Sequence, residues 1–169
     1  PYDAKGLLNT AINDPNPVMY FEHKQLYRSV YQDVPTDYYT IPFGKAASIK
    51  EGKDVTIISF GAGVHWALDT LAKNPEISAD LLDLRTLQPL DTESIFEKKK
   101  KTGKCIILQE DTLFGGMSSD ISALIMENCF QYLDAPVKRV GSLESPIPFV
   151  KAIEDQYLPK TRFETELKE

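Results

Sequence analysis

From Asp54 onward the chain alternates short apolar runs with amphipathic segments, and this rhythm restricts the fold more than any other feature of its 169 residues. The stretch "DVTIISFG" (54–61) is an unbroken apolar strand that stops at glycine, and "AGVHWALDTLAK" (62–73) has helical spacing. A second strand, "SADLLDLR" (78–85), precedes a helix over "DTESIFEKKKKT" (91–102) with Asp91 at the N-cap. "KCIILQE" (104–110) is a third strand. A long helix opens near Gly115, with Ile121, Leu124, Ile125 and Cys129 along one stripe, and "APVKRVG" (135–141) is a short fourth strand. Strands without polar alternation are buried on both faces. Joined by amphipathic helices, they form a mostly parallel sheet of the α/β class with right-handed crossovers. The lysine run at 98–101 reads as a solvated helix end, where positive charge complements the helix dipole.

The first 30 residues break this rhythm. Leu7, Leu8, Ala11 and Ile12 recur at helical spacing until Asp14-Pro15-Asn16-Pro17, where each residue before a proline is pushed out of the helical region. Val18–Phe21 then reads as an apolar strand running straight into Glu22, His23 and Lys24. Residues 29–42 carry two prolines and no sustained period, as an extended linker would. One helix and one strand cannot bury themselves. Residues 1–30 therefore read as the tail of a larger domain, 31–43 as a linker and 44–169 as a complete α/β domain.

A net charge of −6 and a pI near 5.0 leave no electrostatic footprint for nucleic acid. No apolar run approaches the roughly 18 residues of a membrane span, and no signal peptide opens the chain. Cys105 and Cys129 lack a CxxC or Cys/His neighbourhood and read as packing residues rather than zinc ligands.

One motif invites a nucleotide. Gly61 and Gly63 follow a strand, and Asp83 stands about twenty residues on, imitating the dinucleotide fingerprint. The third glycine of that pattern would fall where the chain has Trp66, so Gly61 and Gly63 read instead as a tight strand-to-helix turn. His65 is expected to pack near the carboxyl edge of the sheet, and His23 to lie at a polar interface. No GxSxG, P-loop, HExxH or GDG with a following Asn-Asn pair is present, so the residues show no catalytic centre.

Several segments in order, "DAKGLLNTAINDPNPVMYFEHKQLYR", "LLDLRTLQPLDTESIFEKKKKTGKCIILQED", "GGMSSDISALI", "LDAPVKRVGSLESPIPF" and "IEDQYLP", resemble the β-subunit of thiamine-diphosphate-dependent 2-oxo acid dehydrogenases. The resemblance runs from Tyr2 to about Pro159. "YFEHKQLYR" and the glycine pair opening the long helix look most like the branched-chain (2-oxoisovalerate) enzymes, with pyruvate and acetoin enzymes as alternatives. It implies a three-layer transketolase C-terminal-type domain, preceded by the last helix and strand of a pyrimidine-binding domain. It also implies oxidative decarboxylation with acyl transfer to a lipoyl group. Thiamine diphosphate and magnesium would be bound by parts outside this chain, and catalytic residues would lie upstream of Pro1. The fragment alone would be inactive. The expected partners are an α part, separate or fused, a second β part and the lipoyl acyltransferase core, in a heterotetramer of the bacterial cytoplasm or the mitochondrial matrix.

Two features of the resemblance fall on residues present here. A structural potassium site would use the turn at Ala11, Asp14 and Asn16, where freed helix-end carbonyls and an amide oxygen are hard donors; an ordinary Asx turn is the alternative. The acidic position of the L-[DE]-A-P motif, Asp134 here, would meet a basic residue on the peripheral-subunit-binding domain of the acyltransferase.

Overall fold

A computed structural model describes residues 1–169. A helix, α1 (Tyr2–Asn13), and a one-turn helix, α2 (Leu26–Ser29), precede an irregular stretch that leads to β1 (Ala47–Lys50). Then follow β2 (Val55–Ser59), α3 (Ala62–Lys73), β3 (Ala79–Asp83), α4 (Thr92–Lys101), β4 (Cys105–Thr112), α5 (Met117–Cys129) and β5 (Lys138–Ser142). Two further helices, α6 (Lys151–Tyr157) and α7 (Lys160–Lys168), end the chain. The sheet order is β1-β3-β2-β4-β5; β1 is antiparallel to β3, and every other pairing is parallel.

The apolar strands sort their side chains by parity onto two faces. Val55 and Ile57 of β2, Leu81 of β3 and Ile106 and Leu108 of β4 meet Val64, Ala67 and Leu71 of α3, together with Phe163 and Leu167 of α7. Ile58, Leu82, Cys105 and Ile107 point the other way, onto Ile95 of α4 and Ile121, Ile125 and Cys129 of α5. The result is a three-layer α/β/α sandwich, as the unbroken apolar strands require. Each fully buried Ile or Leu contributes about 1.5–3 kcal/mol. Asp91 caps α4 as its position predicts, accepting the Ser94 N–H at 3.1 Å.

Four features depart from the sequence reading. Val18–Phe21 forms no strand: it has no partner, and Met19 and Phe21 are exposed by 79% and 87%. β1, a short edge strand with no fully buried residue, carries no apolar run to announce it. α6 and α7 were not expected; α7 covers the sheet through only two buried residues, Phe163 and Leu167, in a segment otherwise charged.

The lysine run is solvated only in part: Lys100 and Lys101 are exposed, whereas Lys98 and Lys99 are not. Lys99 is fully buried and donates to the carbonyls of Thr102 (2.9 Å) and Lys104 (2.7 Å). Lys98 reaches Asp80 Oδ1 at 2.9 Å and Glu51 Oε1 at 2.8 Å, and Lys101 reaches Asp80 Oδ2 at 3.2 Å and also pairs with Glu51. The cause is Asp80, a carboxylate with no exposure on β3: buried charge demands cations, and the last turn of α4 supplies them. Cys105 and Cys129 are both buried free thiols, and burial pushes the Cys105 thiol up to about 12.

Candidate functional site

In a parallel sheet ligands favour the carboxyl ends of strands, where neighbouring strands send their connections to opposite faces. Here that point lies between β2, which leads to α3 on one face, and β4, which leads to α5 on the other. Gly61 opens α3 with φ of 57°, a left-handed conformation that glycine adopts without strain. Gly63 serves packing: a Cβ there would crowd Ser59 Oγ and come within 3.3 Å of the Leu108 carbonyl. Ser59 Oγ itself donates to that carbonyl at 2.9 Å, so the first turn of α3 sits directly on β2 and β4.

Asp83, the ribose partner of the imitated fingerprint, is occupied. Its carboxylate accepts the backbone N–H of Arg85 at 2.9 Å, and burial raises its pKa. Arg85 adopts φ of 58°, a conformation costly for a residue with Cβ. Its guanidinium grips Asp3 of α1 with two hydrogen bonds, at 3.1 and 2.7 Å. Trp66 is buried in the core where a third glycine would stand. The fingerprint residues thus build turns and packing.

The two histidines lie at this same edge. His23 Nε2 pairs with Glu110 on β4, 3.0 Å from Oε2 and 3.2 Å from Oε1. The expected polar interface is therefore one within the chain, holding residues upstream of α2 against the sheet. His65 on α3 is partly buried, and that burial depresses its pKa despite Asp69 nearby; His23 pushes it further down. Together the His23–Glu110 and Arg85–Asp3 pairs latch the N-terminal segment over the sheet. Sequence reasoning missed Asp3, Arg85 and Glu110, whose pairing joins positions 82 and 87 residues apart.

The turn after α1 closes as an Asx turn. Asp14 Oδ1 accepts the Asn16 N–H at 2.9 Å and the Asn16 amide nitrogen at 3.0 Å, and the Asp14 N–H lies 3.4 Å from the Ala11 carbonyl. Asp14 also lines a cleft of about 400 Å³ with Thr10, Asn13, Pro15, Thr40 and Pro42. Carbonyl, carboxylate and amide oxygens suit a hard cation, but three residues of one turn are only part of the six to eight oxygens a large hard cation takes.

At the opposite, amino end of the sheet, Asp134 follows a 3₁₀ turn (Phe130–Tyr132) and is exposed. Its N–H donates to the Gly103 carbonyl at 2.9 Å, joining the entry of β5 to the turn that enters β4. No group of three or more His, Cys, Asp or Glu side chains converges as a metal cage. No helix is long and apolar enough to cross a membrane.

Residues 44–162 match the transketolase, C-terminal domain. The 2-oxoisovalerate dehydrogenase subunit beta of Bacillus subtilis (strain 168) is 44% identical, the match covering 94% of this chain and 49% of that protein. From the same organism, the subunit beta of acetoin:2,6-dichlorophenolindophenol oxidoreductase is 47% identical over 94% of this chain and 47% of its own length. The pyruvate dehydrogenase E1 component subunit beta of that organism is 45% identical, again over 94% of this chain, and 49% of its own length. A solved split-gene transketolase, described as an inactive beta4 tetramer, superposes with a TM-score of 0.64 at 26% identity, covering 76% of this chain and 42% of that one. The chain spans about half the length of the relatives it matches.

Proposed function

The chain belongs to the transketolase C-terminal domain family, and on that premise we propose that it is the C-terminal β-part of a thiamine-diphosphate-dependent dehydrogenase of branched-chain 2-oxo acids. The whole enzyme decarboxylates the 2-oxo acid oxidatively and passes the acyl group to the lipoyl group of an acyltransferase. One observation carries this reading. The domain match begins at residue 44, whereas similarity to the dehydrogenase β-subunits covers 94% of the chain and so includes most of the upstream segment. The similarity thus takes in the domain and most of the segment before it together.

In this reading residues 1–30 end a pyrimidine-binding domain, 31–43 link it, and 44–169 serve assembly and docking. When bound, thiamine diphosphate and magnesium supply the decarboxylation chemistry, held by an α part and by the segment upstream of Pro1. This chain's residues do the positioning. Arg85–Asp3 and His23–Glu110 hold the upstream tail at the carboxyl edge of the sheet. Ala11, Asp14 and Asn16 contribute oxygens to a potassium site completed by upstream residues, and Asp134 receives the acyltransferase.

A second reading keeps the family and changes the substrate to pyruvate or acetoin. It is favoured by the three relatives, whose identities to this chain all fall within 44–47%. The full-length β-subunit assembled with its α part, given thiamine diphosphate and magnesium, is expected to reduce dichlorophenolindophenol with 3-methyl-2-oxobutanoate faster than with pyruvate or acetoin. A preference for either of the latter would select the second reading, and inactivity with all three would overturn both.

A further inference from the structure

We infer that Gly103 is a positioning residue for the Asp134 carboxylate, so that a braced turn rather than Asp134 alone makes the docking feature. This rests on the docking role proposed above for Asp134.

The geometry begins with a glycine whose backbone does not need to be glycine. The positive-φ glycines of the chain are Gly44, Gly61 and Gly115; Gly103 is not among them, so its φ is open to other residues. What excludes a side chain is Asp134. A Cβ on Gly103 would fall closer than 3.0 Å to both Oδ2 and Cγ of Asp134, and 3.0 Å from its Cβ. The carboxylate therefore occupies the space that a side chain at position 103 would need.

Both partners are held. The Asp134 backbone is tied by its N–H to the Gly103 carbonyl at 2.9 Å. Beneath the turn, the buried Lys99 ammonium donates to Thr102 O at 2.9 Å and to Lys104 O at 2.7 Å, the carbonyls on either side of Gly103. The platform is thus pinned from below, and the missing Cβ leaves room for the Asp134 carboxylate beside it. The chain's ion pairs all run between other residues, so this exposed carboxylate is open to an external cation. A cationic side chain on a small basic domain fits that chemistry.

Adding a methyl at Gly103 would displace an exposed carboxylate by one rotamer step and leave the core untouched. The loss should therefore appear in binding and not in folding. The test uses the β-subunit assembled with its α part and the isolated peripheral-subunit-binding domain of the acyltransferase, with affinity measured by calorimetry and folding by thermal denaturation. Asp134→Asn and Gly103→Ala are each expected to weaken binding about tenfold or more. The double variant should be no weaker than Asp134→Asn, since both remove one feature. Both single variants should also reduce the salt dependence of binding, a change that a purely structural loss would not produce. If Asp134→Asn weakens binding while Gly103→Ala binds as wild type, the positioning role is overturned and the docking reading stands. If Asp134→Asn has no effect, the docking reading falls and this inference with it. A Gly103→Ala protein that fails to assemble would assign Gly103 to folding and overturn the inference as well.

Discussion

The two ends of the central sheet are finished by different means. At the carboxyl end the strands stop in tight turns, Gly63 seats α3 on Ser59 and Leu108, and two polar pairs fasten the N-terminal segment across the edge. At the amino end α4 delivers three lysines: two to the carboxylates of Asp80 and Glu51, and one, Lys99, to the carbonyls of the Thr102–Lys104 turn. The carboxyl end is closed by the chain's own upstream tail. The amino end is closed by charge, with the exposed Asp134 beside the Gly103 turn. In a parallel sheet every helix enters at the carboxyl end and leaves at the amino end. Close backbone seats therefore gather at the first, and positive residues that suit helix C-termini gather at the second.

That contrast can be broken most sharply at the amino end. Replacing Lys98 and Lys101 together by Met strands the Asp80 carboxylate, which has no exposure, and should cost about 3–5 kcal/mol in urea unfolding. A loss below about 1 kcal/mol would mean that the charge pairing there is surface decoration. At the carboxyl end, Gly63→Ala should cost about 1–3 kcal/mol by overpacking, and Ser59→Ala in the same chain should recover part of it by making room. No recovery would show that the Leu108 backbone, and not Ser59, sets the limit.

Arg85 separates strain from pairing. Both Arg85→Ala and Arg85→Gly remove the grip on Asp3, but only glycine relieves the left-handed φ of 58°. The glycine variant should be the more stable of the two by about 1 kcal/mol, read from the same denaturation curves. Equal stabilities would place no strain at this turn.

The smallest effect is one of pH. Lys101 first, then Lys98 and Ser48, hold the Glu51 carboxyl at about 2, below its ordinary 4.5. A carboxyl whose folded pKa is depressed contributes stability in full above the unfolded value and loses it as pH falls through the folded one. Stability should therefore decline between pH 4.5 and 2, and Glu51→Gln should flatten that slope. An unchanged slope would assign the acid sensitivity to other carboxylates, with Asp91, also held below its ordinary range by hydrogen bonds from Ala46 and Ser94, the first to examine.

Much of this molecule was legible in advance. The helix over 62–73 and the strands near 54–61, 78–85 and 104–110 stand where their hydrophobic periods place them. Their signals are local and repeated. Asp91 was recognisable as a cap because capping is a three-residue event. β1 escaped because an edge strand of four residues needs no apolar run, and α7 because two buried residues suffice to dock it. Val18–Phe21 shows the converse: an apolar run has strand propensity but needs a neighbouring strand to become one. The lysine run misled in the same way, since nothing in "EKKKK" reveals a buried aspartate eighteen residues earlier on another element.

The candidate site followed the same division. Gly61 and Gly63 were read correctly as a turn, because the tryptophan at position 66 already spoke against a pyrophosphate. The partners of His23 and Arg85 could not be read, since each lies more than eighty residues away in the chain. The sequence by itself determined the layers, because the period of apolar residues dictates which faces of helix and strand are buried. Only the tertiary structure decided which charges meet, which glycine carries a side chain's shadow, and where the N-terminal segment rests. Those are encounters between distant residues, and their energies depend on separation and solvent exposure, which spacing along the chain does not encode.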